Sequence, residues 1–249
     1  MKNTVLLIIY ILTILYADDS YPFKSGEKLH YDVSFAGIKA GNAYLEVIDN
    51  NESKINNEIH IRFVAKTSFP FSSVYLIDDQ IDTWLDINDL YTKRIKRSIK
   101  QGNYKKESET KNYYEESISV TNKDTTLING FLFDPYSLFY LLRTKPLILG
   151  QTIKINTFNG KKITPIQIVT KAEETINTVF GSFNCLVIKP FREGSTLLKN
   201  KGDMMIWFSN DKKRLPIQIK IKLQYGSMLL RIKEINSVSY THLTLPTKA

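Results

Sequence analysis

"LHYDVSFAGIKAGNAYLEV", from Leu29 to Val47, alternates apolar and polar side chains on both sides of a glycine pair. Leu29, Tyr31, Val33 and Phe35 fall on one face and His30, Asp32 and Ser34 on the other, the period of a half-buried strand. The same alternation returns in Ile59, Ile61, Phe63 and Ala65, in Ile217, Ile219, Ile221 and Leu223, and in Met228, Leu230 and Ile232. Parallel strands would read as continuous apolar runs joined by helical crossovers, and the sequence predicts no such helices. The expected fold is therefore all-β and mainly antiparallel.

Turn residues separate these runs. "NTVFGSFN" and "LQYGSM" each place a glycine between two strands, and "FSNDKKRLP" offers Asn210 and Asp211 as turn formers. Two glycines four apart would suggest helix dimerisation if they lay in an apolar helix. Here the flanks alternate at period two, so Gly37 and Gly41 are expected to supply positive φ or a bulge at a hairpin bend. The clearest helix is "FDPYSLFYLLR", with Asp134 as N-cap, Pro135 at the first helical position and Arg143 near the C-terminal end. A shorter helical turn fits "FSSVYLID". The sequence thus predicts a single curled sheet or partly closed barrel over residues 21–236, with one short α-helix, Asp134 to Arg143, packed on it.

The ends read differently. "MKNTVLLIIYILTILYA" has a lysine, an apolar run from Val5 to Tyr16 and a small Ala17 before "DDS", the layout of a secretory signal peptide over residues 1–17. The run is shorter than the ~20 residues of a membrane-spanning helix, so no span is expected after cleavage. An uncleaved anchor is the competing reading, and Leu15 is not the small residue favoured three positions before a cut. "VSYTHLTLPTKA" at 238–249 breaks the strand pattern and resembles a translated sequencing-adaptor tail, so it is left out of the fold reasoning. The expected location is periplasmic or secreted. The sole cysteine, Cys185, can form no internal disulfide and sits in the apolar strand pattern "SFNCLVIK", where a buried inert thiol is expected.

Composition narrows the function without naming it. The 249 residues are 43% hydrophobic and 24% charged, as in an ordinary globular chain. The formal charge of +9 suits anionic surfaces such as lipid headgroups, although a Lys-, Asn- and Ile-rich composition also follows from an AT-rich genome. In "TKRIKRSIK" (Thr92 to Lys100) strand phase splits the cations between two faces, and the acidic "YKKESETKNYYEE" follows. Cross-strand ion pairing on a solvated face is expected there rather than nucleic-acid contact. Phosphate-cradling glycine loops are absent.

Catalytic and metal constellations are also missing from the pattern. His30 and His60 have no recognisable nucleophile motif, and two histidines with one cysteine do not give zinc-ligand spacing. The acidic stretch Leu76 to Asp89 lacks the glycine and terminal glutamate of a calcium loop. No cofactor or metal is expected.

Five segments together resemble one bacterial family, the domain of unknown function 3108. They are "FKSGEKLHYDV" with "GIKAG", "DPYSLFYLLR", "TVFGSFNCLVI" and "IWFSNDKKRLP", spanning roughly Phe23 to Glu234. The resemblance implies an exported, mainly antiparallel β protein without a defined catalytic set. A curved sheet around one apolar helix can hold an apolar ligand. A hydrophobic small molecule or lipid is accordingly the expected partner, with Phe35, Tyr44, Trp84, Phe139 and Trp207 as candidate lining. Envelope proteins are the other expected partners. The rivals are a carboxylate-dependent hydrolase acting on envelope glycans and a purely structural or protein-binding module.

Overall fold

The computed structural model describes residues 21–193, 202–224 and 226–236. The signal-peptide and tail readings lie outside the described residues. Eight strands come first: β1 (Lys28–Phe35), β2 (Ile38–Ile48), β3 (Glu58–Thr67), β4 (Asp78–Asp86), β5 (Thr92–Gln101), β6 (Tyr104–Tyr113), β7 (Ile118–Thr121) and β8 (Asp124–Leu127). Six more follow the central helix: β9 (Thr152–Phe158), β10 (Ile163–Thr178), β11 (Gly181–Phe191), β12 (Asp203–Ser209), β13 (Pro216–Leu223) and β14 (Gly226–Asn236). All belong to one 14-stranded antiparallel sheet in which β1 to β8 fan out one way, β14 back to β9 the other, and β1 pairs with β14 at the middle. The chain is two meanders joined along their inner strands.

Helix α1 (Asn51–Ile55) follows β2, α2 (Phe71–Val74) fills the β3–β4 connection, and α3 (Ser137–Thr144) lies between the meanders in sequence. Only the last two were expected. Regular helical bonding in α3 begins at Ser137 with Tyr136 at the N-cap, later than the predicted start, and Asp134 instead holds the turn that leads into the helix. Its Oδ1 accepts from the N–H groups of Tyr136 and Ser137. The other oxygen accepts from the Thr92 hydroxyl, tying the helix start to β5.

The concave side of the sheet encloses α3. Tyr31, Leu45, Ile61 and Leu85 from one meander meet Ile188, Phe208 and Ile217 from the other, with Tyr140 and Leu142 of the helix between them. Full burial of each such side chain favours folding by about 1.5–3 kcal/mol, so enclosure of the helix draws both meanders around it. The outer edges do not pair as a ladder. Instead Leu132 accepts from Thr92 N–H, and Phe133 exchanges hydrogen bonds with Asn156 and Phe158 of β9, so this segment bridges the opening.

The predicted turns have specific locks. Gly37 sits in the β1–β2 turn at φ +85 and Gly181 in the β10–β11 turn at φ +105. Gly41 takes the second of the two expected roles, the bulge. It lies inside β2, opposite Val33 where the register shifts, and a Cβ there would overlap the Lys66 carbonyl oxygen. Its role is the close approach of two strands, not positive φ. In "SNDKKRLP" Asp211 accepts from the N–H groups of Lys213 and Arg214, and Ser209 donates to Asp211 while accepting from Leu215 N–H. That motif closes the β12–β13 hairpin.

Candidate functional site at the open end of the sheet

Cover over the concave face fades toward the end that carries the β1–β2, β5–β6 and β13–β14 turns. On β3, β12, β13 and β14 the residues Ile61, Ile206, Ile219 and Leu230 are buried. Phe63, Met204, Ile221 and Met228, each two positions nearer that end on the same face, are only partly buried. Period-two alternation puts both sets on the inner side. The result is an apolar mouth.

Arg97 brings charge to this mouth. It belongs to the inner phase of β5, opposite Ile81 on β4 and Ser108 on β6. Burial lowers its pKa, while Asp134 and Tyr136 act the other way. One guanidinium nitrogen, Nη1, is buried without a hydrogen-bond partner, as are the hydroxyls of Ser108 and Thr83. Phe63 stacks on Tyr136 at 4.9 Å, and burial followed by the nearby Asp134 charge raises the Tyr136 pKa. Beside them Asp79 is pushed up by burial and accepts from Lys100 N–H and the Gln101 amide. Unpaired donors beside partly exposed apolar side chains suit an anionic or polar head with an apolar tail.

The five residues expected to line a ligand space divide between the two faces. Phe35 ends the inner phase of β1 at the mouth, and Phe139 lies on α3 against the core. Tyr44 is on the outer face beside His30, with the Lys28 ammonium 4.0 Å from its ring centre. Trp84 is also outside, between the His60 ring and the Arg94 guanidinium. Trp207 shares the phase of Gln218 and Arg231, opposite to Ile206, and its indole donates to Glu174. Alternation alone assigns phase, but the bulges and outer cover decide which aromatic is enclosed.

His60 acquires partners that no sequence motif announced. Its Nε2–H donates to Asp82 at 2.8 Å, and its Nδ1 accepts from the Asn50 amide at 3.0 Å. Both ring nitrogens are therefore occupied, leaving none to activate a nucleophile. Burial pushes the Asp82 pKa up, but the hydrogen bonds from His60, Gln80 and Arg62 outweigh it and hold the carboxyl at about 2. Asp78 points to Lys66, Asp79 to the inner face and Asp82 to this outer cluster. The acidic stretch thus presents its carboxylates in different directions rather than across one cleft. Burial raises the Cys185 thiol to about 11, in keeping with an inert side chain.

In the basic run, Lys93 pairs with Glu58 of β3 at 3.1 Å and Arg94 approaches Glu52 of α1 at 3.7 Å, so these cations find acidic partners on the β3 side rather than in the acidic segment that follows them. Arg97 is the exception, because its strand phase faces the lumen. A small cavity of about 130 Å³ is lined by Tyr114, Ser117, Ile128, Gly130 and Phe131. It is below the ~300 Å³ typical of a small-molecule site.

The chain is similar in shape to proteins of solved structure. A β-barrel-like protein of domain of unknown function 1849 from Brucella abortus aligns over 87% of this chain and 99% of its own, with 12% identity and a TM-score of 0.57. A candidate exported protein of YmcC-like fold from Bacteroides fragilis covers 87% and 98%, with 13% identity and a TM-score of 0.33. A candidate lipoprotein from Parabacteroides distasonis gives 87%, 98%, 10% and 0.36. The last two likenesses are too loose to bear on the fold. No curated protein matches the chain significantly. The family described as protein of unknown function (DUF3108) matches residues 30–233, and the chain belongs to that family.

Proposed function

We propose that this is an exported, non-catalytic envelope protein that binds an amphipathic, lipid-like molecule at the mouth of its curled sheet. The observation that carries the reading is Arg97, an inward-facing cation with a buried unpaired nitrogen at the same end of the inner face as the partly buried Phe63, Met204, Ile221 and Met228. An anionic head would satisfy the guanidinium, and an acyl chain would cover Phe63, Met204, Ile221 and Met228. The 130 Å³ cavity beside Tyr114 and Phe131 is too small for such a ligand, and the reading rests on the mouth alone.

Native mass spectrometry of protein recovered from a bacterial envelope should show a lipid-sized adduct with the parent. The adduct should fall several-fold in Arg97→Gln and in Phe63→Asp, while far-ultraviolet circular dichroism remains that of the parent. A folded parent without adduct, or undiminished adduct in both folded variants, removes the proposal.

A further inference from the structure

We propose that the rim beside this mouth docks the protein on an anionic phospholipid surface. The connection from Thr67 to Ile77 contains no charged residue. It nevertheless exposes Phe69 (82%), Val74 (87%) and Tyr75 (52%), and Tyr104 of the adjoining β5–β6 hairpin is 56% exposed. These side chains are held out on a fixed frame. Ser68 N–H donates to Ala40 O, Thr67 N–H to Ile77 O and Gly102 N–H to Leu76 O, which joins the connection to β2 and to the hairpin on either side. The Tyr75 ring lies against Gly102. Contiguous exposed apolar groups on a soluble surface mark an interaction site.

Charge selects the occupant. Lys100 and Lys105 stand directly opposite each other in the hairpin next to Tyr104. Like charges in that position oppose strand pairing, and among the described residues neither lysine forms an ion pair. Lipid phosphates would relieve the repulsion while the aromatic and aliphatic tips enter the headgroup boundary. A polar protein partner would leave Phe69 and Val74 unmatched. Docking goes beyond the ligand reading and stands without it.

The test places an environment-sensitive fluorophore on Val74→Cys, with Ile55→Cys as control. Ile55 is 80% exposed on α1 at the opposite end of the sheet, and Cys185 is buried. Phosphatidylcholine vesicles containing phosphatidylglycerol should blue-shift the Val74 label and leave the Ile55 label unchanged. Lys100→Gln with Lys105→Gln should weaken vesicle binding about twenty-five-fold, at roughly fivefold per lysine. No shift at Val74, an equal shift at both labels, or a shift indifferent to phosphatidylglycerol and to the lysines overturns the docking. The N-terminal apolar run is common to every variant, so it cannot create the difference between labels. A lipid adduct without a label shift would remove docking alone, and a label shift without an adduct would remove the ligand reading alone.

Discussion

Gly41 shows how much one missing methyl group decides. The sequence marks Gly37 and Gly41 as a pair, but they do different work. Gly37 turns the chain at positive φ with open space around it, whereas Gly41 lets β2 approach the Lys66 carbonyl. Substitution separates the two roles. Gly37→Ala should cost about 1 kcal/mol through left-handed strain. Gly41→Ala should cost about 3 kcal/mol because strands β2 and β3 must part to admit the Cβ. Urea denaturation of both variants checks the order, and a Gly41→Ala protein as stable as the parent would refute the close-approach account. Arg97 is legible in part. Strand phase sets it on one face with Ile95 and Ile99, and strand pairing identifies that face as the inner one.

At the scale of elements, three of the family-like segments meet at one buried arginine. Arg143, at the end of α3, makes two contacts with the Glu27 carboxylate, 116 residues away. It also donates to Lys213 O in the β12–β13 turn and to Pro22 O. Helix, opening strand and closing hairpin are thereby fixed to one another. The sequence predicts the helix and places Arg143 favourably at its C-terminal end, but helix chemistry does not specify a partner so distant in the chain. Removing one member leaves an uncompensated buried charge. Arg143→Met should therefore destabilise by about 3–5 kcal/mol. Glu27→Leu combined with Arg143→Met should lose less than Arg143→Met alone. Chemical denaturation of the single and double variants decides this, and a double variant weaker by the sum of two independent losses would count against the pair as the cause.

For the whole molecule, alternation made the sheet legible because inward and outward positions repeat in every strand. It could not supply the order of strands, since pairing β1 with β14 joins segments from opposite ends of the chain. The same order produces a cross-strand row on the outer face: Lys28, Glu46, Arg62, Asp82, Lys96 and Glu109 alternate in sign across six neighbouring strands. Direct contacts within it include Lys28–Glu46 at 3.2 Å and Arg62–Asp82 at 2.7 Å. Asp82 is held at about 2 in the folded protein, below the roughly 3.9 of an unfolded aspartate. Its stabilising contribution is thus fully present above about pH 4. It is lost as protons bind down toward about pH 2. Asp82→Asn should be less stable than the parent at neutral pH, and the gap should narrow across that acid window because protonation removes the same charge from the parent. Urea midpoints measured through the window report the gap directly. A constant gap would mean that the Asp82 charge is not what couples this row of strands to pH.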